Sequence, residues 1–257
     1  MKYKGIIVAI SLLLLNSCGI SKKLSEKEDQ EEIAIFLCIG QSNMAGRAEI
    51  EPEDTLKLDA VFLFNDQSNW EIAENPLNRY ATIRKDISMQ KLSPAWTFSK
   101  KISEALGDRK VGLVVNARGG SSIGEWKKGG AYYNETIERA KQAQKTGVIK
   151  GVIWHQGESD ANAHETYLPK LVNLIKNLRT DLNNPELPFI AGQLSNDKPH
   201  RSGFNEMILE LPEKLNHVSV VTSENTSTMD GTHFDAASQR IIGERYAKKM
   251  IKLLKEN

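Results

Sequence analysis

The chain has 257 residues, with 34 Lys and Arg against 33 Asp and Glu and a formal net charge of +1. The two signs are interspersed, with no basic stripe and no aromatic-basic alternation, which argues against nucleic acid as a partner. The chain holds only two cysteines and five histidines, so neither a disulfide framework nor a Cys- or His-rich metal cluster is expected.

In chain order, the first segment reads as an export signal, residues 1–17. Lys2 and Lys4 precede an apolar stretch over 6–15, and small and polar residues lead to Cys18. That is the three-part layout of a secretory signal. The apolar stretch is too short to span a bilayer, which takes about 20 residues. The ending "LNSC" resembles a lipobox. The resemblance implies cleavage before Cys18 and lipid attachment to its thiol, hence an exported bacterial lipoprotein anchored in a membrane. Residues 18–32, charged and poor in large apolar side chains, read as a tether that buries too little surface to order itself; an exposed helix is the alternative.

From residue 33 to 257 the sequence suits one α/β domain. Apolar runs at 33–39, 60–64, 111–117, 150–156, 187–194 and 218–223 alternate with helical patterns at 93–106, 132–145, 164–182, 204–216 and 235–255. Strands apolar throughout and separated by helices predict a mainly parallel sheet covered on both faces. The expected architecture is a doubly wound three-layer α/β/α domain with about five main strands. Such sheets bind ligands at the carboxyl ends of their strands. Cys38, inside the first run, reads as a buried small hydrophobe.

Four polar clusters follow strands and should meet at that edge: "GQSN", "RGGSS", "HQGES" and "DGTH". In the last, Asp230 and His233 are three residues apart, a spacing that lets the carboxylate hold one ring nitrogen while the other faces a nucleophile. Ser42 is the candidate nucleophile, and it needs an adjacent base; a helix cap is its other reading. His164, His200 and His217 fall near helix starts or at the far end of a strand and read as surface residues. His155 lies in a strand-end cluster, beside the reacting groups or one layer behind them. The backbone N–H groups of Ser42 and of Gly120, in the Gly119–Gly120 pair, would form a three-donor oxyanion hole with the Gln156 amide. Glu158 is a second acid able to orient His233, and the sequence leaves open which of Asp230 and Glu158 does so. Gln41 and Asn43, on either side of Ser42, are candidate substrate contacts. Trp126 is another, either stacking on a sugar or packing in the core. Arg118, Lys127 and Lys128 are cations able to attract a carboxylated sugar.

Taken together, "GQSNMAG", "ARGGSSIGEW", "GVIWHQGESDA" and "DGTHF" resemble the SGNH hydrolase superfamily. More narrowly they are similar to the branch holding sialate O-acetylesterases and family 6 carbohydrate esterases, which include acetyl xylan esterases. The resemblance covers the whole of residues 33–257 and implies a flavodoxin-like fold. It also implies Ser42 as nucleophile, His233 as base with Asp230 as its partner, and an oxyanion hole of Ser42, one glycine of the pair and Gln156. Gln156 stands where the superfamily has an asparagine, as is usual in this branch. The implied activity is removal of O-acetyl groups from a carbohydrate such as xylan or sialic acid, with no metal or organic cofactor. A glycan-binding protein on the same scaffold and an esterase for another acyl substrate are the alternatives.

Overall fold

The computed structural model of the chain describes Met1 and residues 32–256. Apart from these, the signal segment, Cys18 and the tether lie outside the described residues. Seven strands, Ile33–Gly40 (β1), Val61–Phe64 (β2), Trp70–Ile72 (β3), Val111–Ala117 (β4), Gly147–His155 (β5), Phe189–Gly192 (β6) and Val218–Val221 (β7), form one sheet in the order β3-β2-β4-β1-β5-β6-β7. Every pairing is parallel except the β2–β3 hairpin.

The continuous apolar runs follow from burial on both faces. Along β1, Ile35, Leu37 and Ile39 enter one core, and Ala34, Phe36 and Cys38 enter the other. The helices divide accordingly. Ser42–Ala45 (α1), Pro94–Leu106 (α2) and Ala236–Lys255 (α7) cover the Phe36 face. Ala131–Ala143 (α3), Tyr167–Asp181 (α4), Ser202–Ile208 (α5) and Leu211–Lys214 (α6) cover the other. The three layers are therefore those expected, and Glu31–Asn257 forms one unit. No helix among the described residues is long and apolar enough to cross a membrane.

Two details depart from the sequence expectation. The sheet has seven strands rather than five, including a three-residue edge strand, β3, reached through a turn in which Asn65 Oδ1 accepts from Gln67 N and Asn69 N. The two extra strands lie at one edge: β2 and β3 extend the sheet beyond β4, while the remaining strands, in the order β4-β1-β5-β6-β7, keep the flavodoxin order, with the first of them between the second and the third. Finally, the helix expected over 204–216 is broken into α5 and α6, because Pro212 has no N–H to continue the first helix and instead opens the second.

Candidate active site

The site begins where β1 stops. Gly40 has φ +141°, and a Cβ there would lie 2.2 Å from the His155 carbonyl oxygen, so β1 and β5 approach one another only because residue 40 is glycine. The chain then turns, Gln41 N–H donates to His155 O at 2.8 Å, and Ser42 opens the single turn of α1. Its hydroxyl faces a cleft of about 380 Å³ at the carboxyl edge of the sheet, lined by residues that follow β1, β4, β5, β6 and β7.

Across the cleft, His233 Nε2 lies 3.0 Å from Ser42 Oγ, and His233 Nδ1 lies 2.7 Å from Asp230 Oδ2. Asp230 Oδ1 accepts from the backbone N–H groups of Thr232 and His233 at 2.9 and 2.8 Å. The turn thus fixes the carboxylate, and the carboxylate fixes the ring. Because Asp230 accepts the hydrogen bond from Nδ1–H, Nε2 presents its lone pair to Ser42, whose O–H donates to it. Partial burial pushes the Asp230 carboxyl upward, but the His233 backbone and ring bonds, the His233 charge and the Thr232 N–H outweigh it and bring the pKa to about 2.

Glu158 lines the same cleft but does not reach the imidazole. Its Oε1 accepts from Asn43 Nδ2 at 2.5 Å, and Oε2 has no partner among the described residues. Of the two acids the sequence left open, Asp230 is the one in contact with His233.

Several residues read as substrate contacts or donors instead hold the frame. Gln156 is 1 % exposed, and its amide nitrogen is committed to Gln41 Oε1, Ser121 O and Asp160 Oδ2 at 3.0, 2.9 and 2.6 Å. An amide has two N–H bonds to give, so none is left for an oxyanion, and the expected third donor is corrected to a strut. Asn43 is fully buried; it donates to Thr232 O as well as to Glu158, and accepts from Phe234 N–H at 3.1 Å. It ties the serine turn to the histidine turn and does not reach substrate. Trp126, 1 % exposed, gives its N–H to Ser121 Oγ at 2.9 Å and packs edge-on against Trp154, so its sugar-stacking reading is corrected to a core role. Gln41 does line the cleft, while its Oε1 accepts from Gln156 and from Gly157 N–H. His155 is fully buried behind the site. Tyr246 O–H donates to Trp154 O, so the Nδ1–H of His155 donates to Tyr246, and burial favours the neutral ring against the opposing charge of Glu158.

The N–H groups that remain available are on the backbone. Among the described residues, none accepts a hydrogen bond from Ser42 N–H, Gly119 N–H or Gly120 N–H, and all three residues line the cleft. Of the three cations expected nearby, Arg118 and Lys128 are employed elsewhere, and Lys127 does not line the cleft. Lys128 pairs with Asp181 at 2.6 Å, and Arg118 donates to Ile83 O and Arg84 O. Those that line the cleft are Arg47, Lys85, Lys198 and Arg201, with the exposed His200 beside them and Glu158 as the one carboxylate. Sequence reasoning missed this set, although Arg47 directly follows the GQSNMAG motif. Lys198, His200 and Arg201 follow β6, the strand end at which no polar cluster was singled out.

A serine, an imidazole and a carboxylate in one hydrogen-bonded line, at the carboxyl edge of a parallel sheet, is the arrangement of a serine hydrolase. Comparison with known proteins gives the family. Residues 32–252 match the model described as carbohydrate esterase, sialic acid-specific acetylesterase, and the chain belongs to that family: it is a carbohydrate esterase, a hydrolase of ester bonds. A probable carbohydrate esterase of Arabidopsis thaliana is 31 % identical over 247 residues, covering 84 % of this chain and 92 % of that one. The crystal structure of that Arabidopsis protein superposes with a TM-score of 0.79 at 29 % identity, over 86 % of this chain and 98 % of its own. A carbohydrate acetylesterase from Xanthomonas citri shares the fold at 19 % identity and TM-score 0.65, over 87 % of this chain and 57 % of that one.

Proposed function

We propose that the chain removes O-acetyl groups from a carbohydrate, with Ser42 as nucleophile, His233 as general base and acid, and Asp230 as the group that orients His233. The observation that carries the reading is the unbroken line Ser42 Oγ, His233, Asp230, with links of 3.0 and 2.7 Å. In the first half-reaction, Ser42 O–H passes its proton to His233 Nε2 as Oγ bonds to the ester carbonyl carbon. The carbonyl π pair moves onto oxygen, facing the N–H groups of Ser42 and the Gly119–Gly120 pair. The bond to the sugar oxygen then breaks, and that oxygen leaves with the proton from His233. In the second half-reaction, water gives a proton to His233 and attacks the acetyl-Ser42 carbonyl, releasing acetate and restoring Ser42.

The preferred sugar is acidic on this reading. Lys85 and Lys198, lining the cleft against one carboxylate, suit a glycan bearing a carboxylate near the acetyl group, as a sialic acid or a uronic acid does, and the family description names sialic acid. Location is part of the same reading: cleavage before Cys18 and lipidation there would anchor an exported enzyme in a membrane, a proposal that rests on the "LNSC" pattern.

Acetate release from O-acetylated sialosides, acetylated glucuronoxylan and a neutral acetylated xylan tests the function. Release from the first two, lost in Ser42→Ala, is expected; no Ser42-dependent release from any glycan would refute it. Expression in a bacterium with the signal intact should send the wild type to the detergent phase and Cys18→Ser to the aqueous phase, and equal partitioning would remove the anchor.

A further inference from the structure

With the Gln156 amide committed to other partners, a cationic side chain, Arg47, lines the cleft together with Ser42. Gly46 has φ +90°, and a Cβ there would lie 2.2 Å from Lys91 O. The chain leaving α1 is thereby pressed against residues 91–92, with Leu92 N–H donating to Ala48 O at 3.0 Å. Arg47 is held within this crossing. Its Nη1 donates to Gly46 O at 2.6 Å and to Met89 O at 2.8 Å. Its Nη2 and Nε make no hydrogen bond, and no carboxylate pairs with it, among the described residues. Burial lowers its pKa from the ordinary arginine value, yet an arginine stays charged in a protein.

The position of Nη2 follows from Gly119. A Cβ built there would lie 2.5 Å from Arg47 Nη2 and 3.6 Å from Ser42 Cβ, so the guanidinium nitrogen and the serine Cβ are at most about 6 Å apart. The oxyanion of an acyl group bonded to Ser42 Oγ sits about 3–4 Å from that Cβ, and a donor is effective at 2.7–3.1 Å from the oxyanion. Together the two reaches are comparable to that upper bound, which puts Nη2 close enough to serve as the donor. Arg201, the other arginine of the cleft, is spent on Ser195 Oγ, Gly231 O and Thr232 Oγ1, and it braces the histidine turn instead.

We propose that Arg47 is a further catalytic residue, whose free Nη2 donates a charge-assisted hydrogen bond to the oxyanion of the tetrahedral intermediate. This rests on the esterase reading above. The donor is fixed beforehand by two backbone carbonyls, so no reorganisation is needed when charge develops. Because the glycine at 119 leaves room for the guanidinium, a side chain there would displace it.

Steady-state hydrolysis of p-nitrophenyl acetate by the full chain in detergent tests the assignment, since this ester is neutral and holds no sugar. Arg47→Ala is expected to lower kcat by about 10²–10³-fold with KM within a few-fold. Arg47→Lys should recover about tenfold, and added guanidinium ion should raise the Arg47→Ala rate saturably while leaving Ser42→Ala inert. A kcat within about threefold of wild type overturns the proposal. So does a loss confined to acidic glycans, which would make Arg47 a substrate-carboxylate contact. A loss with a lowered Tm, equal in Ala and Lys variants and insensitive to guanidinium, also overturns it and leaves Arg47 a loop brace. Wild-type hydrolysis that is unaffected by Ser42→Ala is a different failure, that of the esterase reading itself.

Discussion

Asp230 is held by two backbone N–H groups of its own turn and gives its second oxygen to His233, so one short segment supplies both acid and base in fixed register. Asp230→Asn keeps the shape but can hold the imidazole in the wrong tautomer, and kcat should fall by about 10²–10⁴-fold. Glu158→Gln should cost far less, since Glu158 touches Asn43 and not the ring; equal losses in steady-state assays would contradict this. The sign of the pH effect is also set here. With a folded pKa of about 2, below its ordinary value, Asp230 contributes stability that is complete above the unfolded value and is lost as pH falls through about 2. It stays ionised throughout the working range. The acid limb of kcat/KM should therefore carry no contribution from Asp230, and a slope of two in log kcat/KM above pH 4 would contradict this. Asn43→Ala removes the bolt between the two turns and leaves Phe234 N–H unpaired in the interior. A destabilisation of about 1–3 kcal/mol in urea unfolding is expected, together with a lower kcat.

At the scale of elements, each strand end delivers its residues to one edge only if the strands are close and in register. Gly40→Ala tests this directly. A methyl 2.2 Å from His155 O forces β1 from β5, and a loss of more than about 3 kcal/mol or failure to fold is expected; a soluble variant of wild-type Tm would contradict the packing. Trp126→Phe should cost about 1–2 kcal/mol through the lost bond to Ser121 and lost contact with Trp154, with KM for an acetylated glycan unchanged. A raised KM at unchanged stability would return Trp126 to the binding surface. The same elements show what a sequence can disclose. Ser42, Asp230, His233 and the glycine pair were legible because a parallel sheet sends the residues after its strands to one rim. The layers were legible because strands buried on both faces read as unbroken apolar runs. The direction of each polar side chain at the rim was not. Gln156 and Glu158 are two residues apart after β5, yet one is locked inward on Gln41 and Asp160 while the other lines the cleft. Asn43 and Trp126 turn inward for a similar reason, their partners being supplied by distant segments. The three-residue β3 is too short to show a period.

For the whole molecule, the functional consequence of the fold is that residues near both ends of the domain meet. Ser42 follows the first strand and His233 precedes the last helix, and Asn43 binds to Glu158, Thr232, Phe234 and Gln239, so the site exists only when α7 is docked on the sheet. Unfolding by urea should therefore remove esterase activity and near-UV signal in one transition, and activity lost well before the global transition would place the site on a separately unfolding segment. The central claim is that Ser42 carries the acyl group with His233 as its base. Its most direct measurement is mass spectrometry of the enzyme quenched during turnover of an activated acetate ester. We predict a 42 Da adduct (about the mass of an added acetyl group) on the peptide containing Ser42, absent in Ser42→Ala and strongly reduced in His233→Ala. An adduct on another residue, or turnover that persists without either side chain, would contradict the account.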